Sequence, residues 1–167
     1  PNENYAREFL ELFTILKGEQ IGDGDYTNYT ESDVVQAARV FSGFRVRGDR
    51  TLIDEDTGIP RGYANPNRHD SGDKQFSVAF GNTIIKGRTT EAGMLEELQD
   101  FPNMVFRQEE TAKAYSQKLY HYFVKSEWNE TVESSIINEL ANTLRNSNYE
   151  LIPVVRQLLE SSHFYDE

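Results

Sequence analysis

Helical periodicity brackets residues 44–88 and vanishes inside them, which restricts the chain to a helical array carrying one irregular insert. The strongest pattern lies at the start, in NENYAREFLELFTIL, residues 2–16. Wound as an α-helix, it sets Tyr5, Phe9, Leu12 and Leu16 in one apolar row, with Ala6, Leu10 and Phe13 beside it. Asn2 suits an N-cap, and Glu3 falls in the first turn, where the helix dipole favours negative charge. Arg7 has Glu3 and Glu11 one turn away on either side, while Glu8 sits at the edge of the apolar stripe. This helix is expected to be the one around which later helices pack, with Lys17 and Gly18 marking its stop.

The acidic loop that follows holds Asp23 and Asp25 in the manner of a calcium loop. Thr27 and Asn28 stand where that motif needs another ligand and a glycine, so an acidic turn is the simpler reading. Thr30 and Asp33 form a capping-box pattern ahead of Val34, Ala37, Ala38 and Phe41, and Gly43 is placed to end that helix.

Within 44–88, FRVR, QFSVAF and NTIIK read as short strands, with Gly81-Asn82 as a turn. The segment between the first two is nearly all turn chemistry. Beyond the insert, one helix is capped by Thr90, buries Met94, Leu95 and Leu98 and stops near Pro102. Another presents Ala112, Tyr115, Leu119, Tyr122 and Phe123. A third, capped by Asn129, presents Val132, Ile136, Ile137, Leu140 and Leu144. The last presents Leu151, Val154, Val155, Leu158 and Leu159, with Pro153 tolerable only near its first turn. The expected fold is mainly α: a single helical domain over 1–167, of about six helices, with a small irregular β-hairpin insert at 44–88.

Composition removes several function classes. The absence of Cys excludes thiol catalysis, Cys-based zinc sites and disulfides. A net charge of -11 argues against a general nucleic-acid binder, whose footprint is basic. No apolar run reaches the ~20 residues of a membrane span. Pro1 opens the sequence with no Met and no signal-like segment, so the chain reads as a piece of a longer protein.

No nucleophile elbow, phosphate loop, zinc-protease helix or dinucleotide loop occurs, and no cofactor or metal set is assigned. His69 stands in NRHDSGDK beside Asp70, Asp73 and Lys74. A carboxylate beside an imidazole suits a general base or a metal ligand, although this is also ordinary turn chemistry. His121 and His163 read as surface residues. Glu3, Arg7, Glu8 and Glu11 offer paired carboxylates whose commoner role is ion pairing. The insert arginines suit carboxylate, sulfate or phosphate, but the acids among them in equal number favour internal pairing.

Four stretches then combine: NENYAREFLELF, YTESDVVQAARVFSGF, NPNRHDSGDKQFSVAFGN and KLYHYFV. Together they resemble the C-terminal half of a bacterial exported family known as domain of unknown function 1800. The motif positions are Asn2, Glu3, Asn4, Tyr5, Arg7, Glu8, His69, Asp70, Gly72 and Lys74. The resemblance implies an extracytoplasmic or cell-surface bacterial protein and carries no reaction with it. Any site is expected to gather Glu3, Arg7, Glu8, His69, Asp70 and Lys74. The leading expectation is a non-enzymatic interaction module that engages surface polysaccharide or another exported protein. The alternative is a hydrolase or metal-dependent enzyme using His69, Asp70 and Glu8.

Overall fold

The structure, a computed structural model, describes residues 3–166; Asn2, read above as an N-cap and a motif position, lies outside the described residues. The chain gathers into two compact units. The first takes in the chain up to Leu12 and Lys17–Met104; the second takes in Phe13–Leu16 and the chain from Val105 onward.

In the first unit, α1 (Glu3–Glu8) continues as a π-helical turn, Phe9–Phe13. The wider turn rotates the apolar face. Ala6 and Leu10 are buried, whereas Tyr5 and Leu12 of the expected row stand about half exposed. Arg7 pairs with Glu31 at 2.5 Å instead of with its own helix, and Glu11 turns to Lys17 at 2.6 Å and the Tyr29 hydroxyl at 3.1 Å.

α1 packs on α2 (Glu31–Val40), whose start is the expected capping box. Thr30 Oγ1 accepts from Asp33 N, and Asp33 Oδ2 accepts from Thr30 N. Asp33 is wholly buried and also accepts from Ser77 N and Ser77 Oγ, both at 2.7 Å, so one carboxylate ties the helix start to the insert.

FRVR forms β1 (Phe44–Val46), which pairs antiparallel with β2 (Gly62–Ala64), Arg45 lying opposite Tyr63. Gly-Tyr-Ala is too short to display an alternating pattern, which is why it reads as turn. The expected QFSVAF strand shrinks to β3 (Lys74–Gln75), paired with β4 (Ile84–Ile85). Ser77 accepts from Ala79 N and starts a 3-10 turn, Val78–Phe80, so Phe76 and Phe80 both face the core. The Gly81-Asn82 turn forms as read, both residues having positive φ.

α3 (Glu91–Phe106) is capped by Thr90, whose Oγ1 accepts from Gly93 N at 3.0 Å. It runs through Pro102 instead of stopping there. Proline inside a helix costs ~3 kcal/mol, comparable to what burying one large apolar side chain returns. Phe101, Met104 and Val105, all buried, provide more than one. The buried row is Met94, Glu97, Phe101 and Met104, and Leu95 faces water. An aromatic cluster centres on Phe101, with ring centroids 5.3 Å from both Phe9 and Phe41 and 5.6 Å from Phe76.

In the second unit, α4 (Glu109–Phe123) is followed by a continuous helix, α5, comprising Glu130–Val132, a π-helical segment Glu133–Ile137 and Asn138–Asn146. Then come α6 (Leu151–Leu159) and α7 (Ser162–Asp166). The core holds Ala112, Tyr120, Ile137, Leu140, Leu144, Val154 and Leu158. Asn129 caps α5 through Val132 N, and Pro153 sits in the first turn of α6, both as read. On α4 the buried line is Ala112, Ser116 and Tyr120, at steps of four, which leaves Tyr122 exposed. His121 is exposed as expected. His163 is not an ordinary surface residue: its Nε2 lies 2.8 Å from the Tyr120 hydroxyl and its ring stacks on that tyrosine. The fold is mainly α with two small antiparallel hairpins. Among the described residues no helix is long and apolar enough to cross a membrane.

Candidate functional site

The end of α2, the 65–73 turn, β3 and α3 converge in the first unit on a buried ionic cluster. Lys74, Glu97 and the His69 ring are wholly out of water. Lys74 Nζ donates to Glu97 Oε2 and, at 2.5 Å, to the Asp70 carbonyl, and it lies 3.4 Å from His69 Nε2. A carboxylate and a carbonyl thus accept from the ammonium, as holding it in a dry interior requires. Glu97 Oε1 accepts from Arg88 N at 2.5 Å and lies 3.2 Å from His69 Nε2.

His69 Nδ1 is 2.9 Å from the Ser42 carbonyl, which can only accept, so the hydrogen is assigned to Nδ1. Ser42 Oγ donates to the Arg39 carbonyl and accepts from Asp70 N at 2.8 Å, locking the turn to the end of α2. Outside the dry cluster, Arg39 grips Asp70 through two N–H groups of one guanidinium edge, Nε to Oδ2 at 2.8 Å and Nη2 to Oδ1 at 3.0 Å. That fork, first of all, holds the Asp70 carboxyl down to about 2.

Two glycines allow the layers to close. A Cβ on Gly43, which has φ of +80, would sit 2.9 Å from Asn65 O, His69 Cβ and Met94 Cε. A Cβ on Gly87 would lie 2.0 Å from Ser71 O, where two backbones cross.

The structure therefore brings together His69, Asp70 and Lys74 of the sequence candidates. It joins them to Arg39, Ser42 and Glu97, which sequence reasoning left out. Glu97 carried a signal: it interrupts the apolar row Met94, Phe101, Met104 at helical spacing. Glu3 is exposed and Glu8 half-buried, and among the described residues neither forms a hydrogen bond or ion pair with the turn; Arg7 is engaged by Glu31. The focus of His69 and Glu97, where a cation would be held, is filled by the Lys74 ammonium. Among the described residues no group of three or more His, Asp and Glu side chains is placed to hold a metal ion. The cluster ties insert to helix, with the Lys74, Glu97 and His69 side chains wholly buried.

The exposed chemistry of the insert lies elsewhere. From β1 the chain loops out through a turn closed by Arg50 N to Arg47 O at 3.0 Å, then rejoins the return arm at an Ile53–Pro60 bridge. Val46, Arg47, Gly48, Arg50, Ile59 and Pro60 line a groove of about 530 Å³ there. Arg45, Arg47, Arg50 and Arg61 are exposed, and among the described residues none makes a salt bridge. The acids beside them are engaged at home. Asp49 takes Thr51 N and Oγ1, and Asp54 takes Thr57 N and Oγ1, which lowers both carboxyls.

No curated protein and no solved structure matches the chain. A family model matches residues 1–167, and the chain belongs to that family, described as Protein of unknown function (DUF1800).

Proposed function

We propose that this protein is a non-enzymatic binding module of an exported, surface-associated bacterial protein, and that the hairpin of the insert is its contact surface. The observation that carries this reading is the set of exposed hairpin arginines, none of which makes a salt bridge among the described residues, in a chain of net charge -11. Guanidinium groups held in water beside a groove are available to a partner, and the nearby Asp49 and Asp54, which sense Arg47 and Arg61 only through space, accept their hydrogen bonds from threonines. The candidate partners are surface polysaccharide or another exported protein.

What supports this reading over a hydrolase or metal-dependent enzyme using His69, Asp70 and Glu8 is the engagement of those groups. The His69 ring is buried, the Asp70 carboxylate is held by Arg39, and among the described residues Glu8 forms no hydrogen bond or ion pair with either. The buried cluster then serves as the anchor that fixes the hairpin's base.

Co-sedimentation with bacterial cell envelopes tests the reading, using the wild type and a variant whose residues 47–60 are replaced by Asn-Gly. Envelope association that disappears with the hairpin is the expected result. Equal association of both proteins, or none by either, would overturn it.

A further inference from the structure

The groove at the hairpin tip combines two features that together specify a ligand chemistry. Arg47 and Arg50 stand at the two ends of one closed turn, so their side chains spring from a fixed base on the groove's rim. Val46 and Ile59, each about two-thirds exposed, and Pro60 supply an aliphatic wall between them. We infer that this groove binds a carboxylated polysaccharide, a polymer of uronic acid units, with the Arg47 and Arg50 forks on successive carboxylates and the sugar C–H faces against Val46, Ile59 and Pro60. The inference rests on the binding-module reading and names the ligand of the same surface.

Three observations favour this occupant. Paired N–H groups of a guanidinium match the two oxygens of a carboxylate. An extended acidic peptide would gain its affinity by adding to a strand edge. This groove offers little of one, because β1 reaches it only at Val46, residues 47–50 are coiled into a turn, and Pro60 has no N–H to give. The net charge of -11 opposes any polyanion, and it opposes a densely charged polyphosphate more than a uronate chain with one charge per sugar unit.

The test is calorimetric titration of the whole protein at low salt with three polymers: polygalacturonate, its fully methyl-esterified form, and polyglutamate. The expected result is saturable binding to polygalacturonate only. Binding should weaken at least ~10-fold in Arg47→Ala/Arg50→Ala, the scale of losing charge-assisted hydrogen bonds. Arg47→Lys/Arg50→Lys, which keeps charge and loses the fork, should fall in between. Thermal melts matching wild type confirm that the variants fold. Equal binding of polyglutamate, or binding of the methyl ester, overturns the uronate assignment. Unaltered binding by the alanine variant overturns the site. Failure to bind polygalacturonate by a protein that still shows hairpin-dependent envelope association overturns this inference while the binding-module reading stands.

Discussion

Lys74 and Glu97, one on a two-residue strand and the other in the middle of a long helix, meet with neither side chain exposed to water. A dry pair of this kind is poor evidence of added stability, because desolvating both ions offsets their attraction. Breaking it is another matter. Lys74→Met or Glu97→Leu alone leaves a buried charge without its counter-ion and should cost about 3–5 kcal/mol. The double variant Lys74→Met/Glu97→Leu removes both charges and should recover much of the loss. Urea denaturation of the three variants checks the non-additivity.

Asp70 predicts a pH dependence. Its folded value of about 2 lies below the usual carboxylate range, chiefly because of the Arg39 fork. A depressed folded pKa contributes stability that is fully present above the unfolded pKa and is lost as pH falls through the folded one. Stability should therefore decline between about pH 5 and pH 2. Asp70→Asn should be less stable than wild type at pH 7, and the difference should narrow through that window. Melting temperature against pH measures it. The carboxylate is partly exposed, so salt should shrink the effect.

Gly43 should not tolerate a side chain. Its left-handed φ already strains any L residue, and a new Cβ would press on the His69 and Met94 side chains and on Asn65 O. Gly43→Ala is expected to lower stability by more than ~1 kcal/mol, and faster amide exchange along the 65–74 turn would locate the damage.

Ser116 offers a change in the other direction. Among the described residues its buried hydroxyl has no hydrogen-bond partner, which is a cost that alanine avoids. Ser116→Ala should raise the melting temperature, by an amount corresponding to roughly 1 kcal/mol.

Much of the fold is legible in the residues. Thr30 and Asp33 announce a helix start whose geometry follows, and Gly81-Asn82 makes the turn its chemistry demands. The misreadings have local causes. The π-turn at Phe9–Phe13 shifts the face that straight helical spacing predicts for Leu12, nothing in FLELF marks that insertion, and the helix ends at Phe13, short of Leu16, whose φ is positive. Pro102 stops a helix only when nothing beyond it is worth burying, and Phe101 and Met104 flank it. For the site, NRHDSGDK pointed to His69, Asp70 and Lys74. Their partners Arg39, Ser42 and Glu97 come from α2, the turn that follows it and α3, 23 or more residues away, and spacing within one segment cannot bring them in. The arginines were visible from the start. Equal numbers of acids suggested internal pairing, and only coordinates show Asp49 and Asp54 turned to threonines.

The central claim is that the exposed hairpin binds and the buried cluster only supports it. Envelope co-sedimentation of Arg47→Ala/Arg50→Ala beside Lys74→Met/Glu97→Leu, each checked by melting to be folded, separates the two roles directly. The account predicts that the arginine variant loses association at an unchanged melting temperature, while the cluster variant still binds. An arginine variant that binds like wild type, beside a folded cluster variant that does not, would contradict it.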